Sequence, residues 1–186
     1  DLPEPKRKAR PVPEGVLIHV IETLPQHVRE AVIATLLFGF RKTEIFELDI
    51  ADVDFDLGGI WLSHERVKDN EDAFQPGSPE AMTFMRQLVD QARARHTTRL
   101  ITWQRRRKAA DEQRAEVWRT VKSPKRAWRT AMKKVLEAFG RRYRWHDIRA
   151  AYISRVANIS GRLAAQKLAR HSDYRTTDSY VLIEDD

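Results

Sequence analysis

A histidine and a tyrosine stand nine residues apart near the C-terminus, where H-S-D-Y-R-T-T-D-S-Y runs from His171 to Tyr180. A tyrosine hydroxyl can act as a nucleophile, but its unperturbed pKa of about 10 means that it needs help from its neighbours. The sequence offers such neighbours in H-D-I-R at His146–Arg149 and in F-R-K-T-E at Phe40–Glu44. Together the three stretches could form a basic pocket closed by a phenol, which suits attack on a phosphate.

The H-D-I-R stretch places an imidazole beside a guanidinium. His146 and Arg149 are three residues apart, so on a helix both project from one face. Two cationic donors side by side suit an oxyanion better than a metal ion, because arginine does not ligate metals. The alternative, more frequent for such a motif in isolation, is a surface histidine next to an arginine in a helix-end salt bridge with Asp147.

A second guanidinium, that of Arg41, follows a glycine that can turn the backbone between two helices. Glu44 comes three residues later and could hold this guanidinium in place. An ordinary pair at the start of a helix is the alternative for these two residues.

Lys68 is the only lysine between Lys42 and Lys108, and it falls in a segment predicted to form part of a sheet. Acidic residues at positions 69, 71 and 72 would keep it protonated, so it could serve as a proton donor. A lysine on a hairpin is more often a solvated residue at the sheet edge. In the same way, Tyr180 could be a half-buried packing residue.

The composition limits the class of protein. A chain of 186 residues can bury one core, and a hydrophobic content of 41% predicts a folded domain. The absence of cysteine excludes disulfides, thiol nucleophiles and Cys-ligated zinc. No apolar run approaches the roughly 20 residues that span a bilayer, and no signal peptide is recognisable, so we expect a cytoplasmic protein with no membrane partner.

The charge is distributed unevenly. Residues 93–144 contain 18 Lys/Arg and 4 Asp/Glu, whereas residues 44–90 contain 3 and 12. This asymmetry predicts a basic face for a polyanion, most often nucleic acid, although a pair of solvated basic helices is the alternative. The candidate nucleic-acid-binding residues are Arg105, Arg106, Arg107, Lys108, Lys122, Lys125, Arg126, Arg129, Arg141 and Arg142.

Local patterns predict the elements that position these residues. Prolines and basic residues predict a linker or arm at residues 1–14. Apolar residues at helical spacing predict a buried helix at about 26–38, which Gly39 interrupts, and a short helix at Lys42–Leu48. The period then changes to two, and a turn at Gly58-Gly59 predicts a β-hairpin.

The rest of the chain is predicted to be mainly helical, apart from a third strand near Val67–Phe74 and a short strand at Leu100–Trp103. Ser78-Pro79 and Ser123-Pro124 each begin a helix; the first runs to about Arg95, and Gly140 ends the second. Helices follow at about 146–157 and 161–169, and a last one, capped near Asp173, carries Tyr180. These elements predict an α+β fold, mainly helical with a small three-stranded antiparallel sheet.

In this order, the motifs resemble the catalytic domain of the tyrosine recombinase (phage integrase) family. The series is R-K-T-E at Arg41–Glu44, Lys68 on a hairpin, H-D-I-R at His146–Arg149, and the spacing of His171 and Tyr180. F-G-F-R-K-T-E-I-F-E-L-D-I-A-D-V-D-F resembles the first box of the family, and the paired threonines before Tyr180 resemble its last box. The resemblance extends from about Leu24 to Val181, and Arg170 stands where the family usually has glycine.

The resemblance implies a role for each residue. Arg41, Arg149 and His171 would bind the scissile phosphate and neutralise charge in its pentacovalent transition state. Tyr180 would attack, giving a 3′-phosphotyrosyl bond and a free 5′-hydroxyl. His146 would be the general base or orienting group for the phenol, Lys68 the general acid on the leaving oxygen, and Glu44 a supporting residue. No metal, cofactor or ATP would be required.

The resemblance also implies the partners and the organisation of the protein. Double-stranded DNA would be the substrate of a bacterial or phage-encoded protein, monomeric alone and assembled as a dimer or tetramer on DNA. Residues 15–186 would be the catalytic domain, without the N-terminal DNA-clamping domain of the family. Two alternatives are a DNA-binding module of the same ancestry that lacks strand exchange and a type IB topoisomerase-like enzyme that relaxes DNA.

Overall fold

The computed structural model describes residues 10–63, 72–104, 118–121 and 123–170. Within these ranges, the structure combines helices with a small three-stranded antiparallel sheet, which confirms the predicted α+β class. None of these helices combines the length and the apolar character that a membrane span requires. In chain order the elements are α1 (Glu14–Thr23), α2 (Gln26–Phe38), α3 (Lys42–Glu47), β1 (Val53–Asp54), β2 (Gly59–Leu62), β3 (Ala73–Pro76), α4 (Pro79–Ala94), β4 (Thr102–Gln104), β5 (Trp118–Thr120), α5 (Lys125–Phe139) and α6 (Trp145–Ala169).

Helix α2 is the centre of the fold. It packs against α1, α3, α4 and α6, and Val28, Ala31 and Val32 on its inner face are fully buried. The predicted helix at 26–38 is therefore present, and so is the short helix that follows it. Helix α1 was not predicted: it begins at Glu14, at the end of the segment assigned to a linker, and Val12 just before it is also buried.

The predicted hairpin is present, but its strands are short. Strand β1 pairs with β2 and β2 pairs with β3, each pair antiparallel. Phe55 lies in the turn that follows β1. Strand β3 continues two residues beyond the predicted end at Phe74, to Pro76. It is an edge strand, where proline is tolerated because no donor is needed on the open side. The predicted start of this strand, at 67–71, lies outside the described residues.

A second, two-stranded antiparallel ribbon joins β4 and β5. The predicted strand at Leu100–Trp103 corresponds to β4, which begins two residues later and ends one residue later, whereas β5 was not predicted. Helix α5 follows and ends at Gly140, whose positive φ of 66° gives the predicted left-handed cap.

Helix α6 is interrupted at Gly161, where φ is 83° and ψ is 165°. This break separates the two helices predicted at about 146–157 and 161–169. Residues of both halves pack on one another in a small apolar cluster of Ala150, Tyr152, Ile153, Ala157, Ala165 and Ala169. The helix predicted near Asp173 lies outside the described residues.

Candidate functional site

The site is built around the turn between α2 and α3. Gly39 ends α2 with φ at 70°, and the ring of Tyr152 lies where a side chain on Gly39 would project: an added Cβ would be 2.3 Å from its Cδ1 atom. Glycine is therefore required for two reasons, the left-handed backbone and the approach of the ring. The turn directs the chain from the buried Phe40 to Arg41 at the start of α3.

Arg41 and Glu44 are paired as the sequence predicted. The Nη1 atom of Arg41 lies 2.9 Å from Oε1 of Glu44, and the backbone N–H of Arg41 donates to Oε2 at 2.6 Å. The Glu44 side chain is fully buried, whereas 23% of the Arg41 side chain is exposed. A buried carboxylate thus holds a guanidinium that solvent can reach.

Arg149 lies on α6 and is buried, with 1% of its surface exposed. Its Nη1 atom donates to the carbonyl of Gly39 at 2.6 Å, and its Nη2 atom donates to the carbonyl of Ala169. One guanidinium therefore joins the turn before Arg41 to the end of α6. The carboxylate of Asp147, named as a salt-bridge partner in the alternative interpretation of this motif, contacts Arg144 at 3.3 Å.

His146 lies at the surface, in the first turn of α6. Loss of hydration lowers its pKa below the ordinary value of 6.5, and the charges of Arg149, Arg144 and Arg41 lower it further, while Asp147 acts in the opposite direction. The imidazole is therefore neutral at neutral pH, the form that accepts a proton.

Arg170 enters this site although the sequence did not predict it as a site residue. Its Nη2 atom lies 2.7 Å from Oε2 of Glu44, and its carbonyl accepts from Nη2 of Arg41 at 3.3 Å. The only sequence signal was its position directly before His171, where the resembled family has glycine.

The carboxylate of Glu44 remains ionised despite its burial. Burial raises its pKa, but the charge of Arg170 and the hydrogen bonds from Arg41 and Arg170 together lower it below 4.5. Burial also lowers the pKa of Arg170, although the charge and hydrogen bond of Glu44 oppose that effect. Glu44 is thus a buried anion between the guanidinium groups of Arg41 and Arg170.

A basic groove of about 410 Å³ lies beside the site. Its apolar lining includes Trp128, Met132 and Trp145. Its cations include two that the sequence did not assign to binding, Lys42 next to Arg41 and Arg144 close to His146. The basic lining residues are Lys42, Lys125, Arg129, Arg142 and Arg144.

The other predicted binding residues are placed differently. Arg126 lines a separate groove of about 990 Å³, together with Arg119 of β5. Arg141 is half-buried, with its guanidinium carbon 5.4 Å from the ring centre of Tyr143. The excess of basic residues in the sequence could not show which groove each side chain lines, because it gives the sign of the charge and not the orientation of the side chain.

Several predicted site residues lie outside the described residues. In the ranges that are described, no group of three or more His, Cys, Asp or Glu side chains could hold a metal ion. The predicted residues whose placement is not described are Lys68, His171, Tyr180, Arg105, Arg106, Arg107, Lys108 and Lys122.

Solved structures with the same fold include the XerA recombinase, with a TM-score of 0.67 and 17% identity over 97% of this chain and 63% of that one. The integrase of the Tn1549 transposon, in complex with a circular intermediate DNA, gives a TM-score of 0.67 and 17% identity over 98% of this chain and 63% of that one. A lambda integrase dimer bound to a COC′ core site gives a TM-score of 0.67 and 15% identity, over 98% of this chain and 62% of that one.

The chain thus spans less than two thirds of the length of these solved structures. No curated protein matches it significantly by sequence. The phage integrase family, however, matches residues 15–185, which is nearly the whole chain. Together with the shared fold, this match shows that the chain belongs to the phage integrase family.

Proposed function

We propose that this chain is the catalytic domain of a site-specific DNA recombinase or integrase, which cuts and rejoins strands through a 3′-phosphotyrosyl intermediate. The observation that carries the proposal is the pair of contacts made by Arg149, to Gly39 and to Ala169. They hold the turn that leads into Arg41 against the helix end that precedes His171. The turn before Arg41 is thereby held against the described end of α6, directly before the last box.

In the proposed reaction, the phenol oxygen of Tyr180 attacks the phosphorus, and the bond from phosphorus to the 5′-oxygen breaks. Arg41, Arg149 and His171 donate to the non-bridging oxygens. Of Arg41, Arg149 and Arg170, Arg41 is the most exposed and thus the most accessible to a phosphate.

Proton transfer accompanies each bond change. His146 accepts or orients the phenolic proton, and its lowered pKa supports this role because the neutral imidazole is available. Lys68 protonates the leaving 5′-oxygen, and Glu44 holds Arg41 in place. The phosphotyrosyl ester conserves the energy of the broken bond, so rejoining needs no ATP, and the cationic side chains carry the stabilisation without a metal or cofactor.

Double-stranded DNA is the proposed partner. The basic groove next to Arg41 and His146 has the charge that phosphates require. Among proteins with this fold, lambda integrase has been solved as a dimer on a core site and as a tetramer on a Holliday junction. We propose that this chain is monomeric alone and likewise assembles as a dimer or tetramer on DNA in the bacterial cytoplasm.

Covalent capture tests the proposal and does not require a defined target site. A pool of nicked suicide duplexes with randomised sequence is incubated with the protein, denatured, and searched for protein–DNA adducts. We expect an adduct at Tyr180 that is lost in Tyr180→Phe and retained in the matched variant Tyr174→Phe.

Each other result has a distinct meaning. Salt-sensitive binding without any adduct would favour the DNA-binding module that lacks strand exchange. Relaxation of supercoiled plasmid by protein at concentrations where it stays monomeric would favour the topoisomerase-like enzyme. An adduct that survives in Tyr180→Phe would refute the assignment of the nucleophile.

A further inference from the structure

Arg170 has a backbone conformation that favours glycine. It caps the C-terminus of α6 with φ at 53° and ψ at 52°, and its N–H reaches the carbonyls of Gln166 and Lys167. Among the described residues, only Arg170 and His96 are non-glycine residues with positive φ. A side chain disfavours this left-handed conformation, so a plain helix cap would be served better by glycine.

The side chain of Arg170 points inward. Only 10% of it is exposed, although arginine is among the residues least often buried. Its Nη2 atom lies 2.7 Å from Oε2 of Glu44, across 126 residues of chain. Its backbone carbonyl accepts from Nη2 of Arg41. Arg170 therefore contacts both members of the Arg41–Glu44 pair.

The two oxygens of Glu44 are divided between its partners. Oε1 accepts from the guanidinium of Arg41, and Oε2 accepts from the backbone of Arg41 and from the guanidinium of Arg170. Arg41 and Glu44 alone would be a neutral pair. With Arg170 the three side chains carry a net charge of +1, in a buried setting where charge interacts strongly.

The geometry points to Arg170 as a positioning residue: it fixes the Glu44 carboxylate that orients Arg41, and it keeps the Arg41 end of the site positively charged for a phosphate. This inference rests on the proposed function, because it assumes that Arg41 binds the scissile phosphate. Arg170 itself acts through Glu44 and need not touch DNA.

The variants separate charge from backbone geometry. Arg170→Gly removes the charge and relieves the left-handed backbone, so the fold is expected to survive. Arg170→Lys keeps the charge but loses the planar fork that pairs with a carboxylate. Lys167→Gln is the matched control, because it removes one positive charge from an exposed position in the last turn of the same helix.

The first measurement does not depend on DNA cleavage. The charged groups that the described residues bring to Glu44 are Arg41, from the start of α3, and Arg170, from the end of α6. Burial raises the pKa of Glu44, so removing Arg170 should move it upward. A carbon-13 NMR titration of the Glu44 carboxyl should show this rise in Arg170→Gly, a smaller rise in Arg170→Lys and no change in Lys167→Gln.

The second measurement is the rate of covalent attachment at saturating duplex, with a sequence enriched by the capture experiment. We expect Arg170→Gly to lower this rate by roughly ten- to a hundredfold, because a misplaced donor loses its interaction with the phosphate. The dissociation constant should stay within about threefold of the original, since no DNA contact is removed. Arg170→Lys should recover part of the rate.

The outcomes distinguish the positioning role of Arg170 from the proposed function on which it rests. An unchanged Glu44 titration in Arg170→Gly overturns the inference, and so does a raised pKa with an unchanged attachment rate. A rate loss matched by a fall in the thermal unfolding midpoint, and not recovered by Arg170→Lys, would reduce Arg170 to a structural cap. The absence of any adduct from the unaltered protein would refute the proposed function, and the positioning role with it, whatever the titration shows.

Discussion

The Nη1 atom of Arg149 lies 2.6 Å from the carbonyl oxygen of Gly39, and the two residues are 110 positions apart in the sequence. The same guanidinium also donates to Ala169. Because the side chain is buried, its desolvation must be offset by these contacts. Arg149 therefore links two parts of the fold by hydrogen bonds, and it is also a candidate ligand for a phosphate.

Replacing Arg149 with lysine should weaken this hydrogen-bonded link. A single ammonium group cannot reach both carbonyls in the same planar geometry, so one charge-assisted hydrogen bond is lost. We expect Arg149→Lys to lower the free energy of unfolding by about 2 kcal/mol, measured by urea denaturation. Arg155→Lys is the matched control: Arg155 also donates from α6 to a carbonyl, that of Leu36, but it is exposed, and its loss should stay below about 0.5 kcal/mol. Equal losses would contradict the assigned role.

The turn before Arg41 should not tolerate a side chain on Gly39. Gly39→Ala would add the strain of positive φ to a clash with the Tyr152 ring, and we expect a loss of at least about 3 kcal/mol in unfolding free energy. Gly140→Ala isolates the backbone part, because φ is 66° there and, in the part of the chain that the structure describes, no atom beyond its chain neighbours and its own helix lies within 4 Å of the added Cβ. Its expected cost is about 1 kcal/mol. Similar costs for both variants would show that Tyr152 yields to the new methyl group.

The lowered pKa of His146 should appear as a pH dependence of stability. The folded protein binds a proton at His146 less readily than the unfolded chain does. The contribution of His146 to the free energy of unfolding is therefore fully present above pH 6.5 and declines as the pH falls below that value. His146→Asn should remove this decline from urea unfolding curves measured between about pH 5 and pH 7.

The charge of Arg144 contributes to the same shift. Arg144→Gln should therefore raise the pKa of His146 in a proton NMR titration. Lys134→Gln, which removes an exposed charge from α5, should leave that titration unchanged. A pKa of His146 at or above 6.5 in the unaltered protein would contradict the description of its surroundings.

The basic groove should account for part of the salt dependence of DNA binding. Log affinity falls as log salt rises. Removing Arg129 and Arg142 together should make this slope less steep by about 2, or about 1 for each lost phosphate contact. Arg93→Ala is the control, because Arg93 is an exposed cation on α4 that does not line this groove. Fluorescence anisotropy over a range of salt concentrations measures the slopes, and an unchanged slope in the double variant would place the DNA elsewhere.

The sequence predicted the elements that depend on local signals. Gly39 and Gly140 end their helices as expected, and Ser78 caps α4, because each signal acts on the turn that contains it. The pair formed by Arg41 and Glu44 was predictable for the same reason, since Glu44 lies in the first turn of α3, three positions after the capping residue Arg41.

The sequence could not predict the features that depend on distant contacts. Strand β5 exists through its pairing with β4, and no residue of Trp118–Thr120 specifies that partner. The burial of Arg149 depends on carbonyls from two other segments, and the contact of Arg170 with Glu44 joins opposite ends of the chain. The helical pattern of α1 was also hidden, because the prolines before it are typical of a linker.

The break at Gly161 determines which residues can meet at the site. In a straight helix, Arg149 and Ala169 would be about 30 Å apart, yet they share a hydrogen bond, so the chain must double back between them. The number of residues between Gly161 and the helix end then determines which groups at that end face Arg149 and Glu44. One residue more or fewer would rotate the helix end by about 100° and present a different carbonyl to Arg149, with Arg170 turned away from Glu44. The spacing within the second half of α6 is therefore as much a part of this site as the charged side chains are.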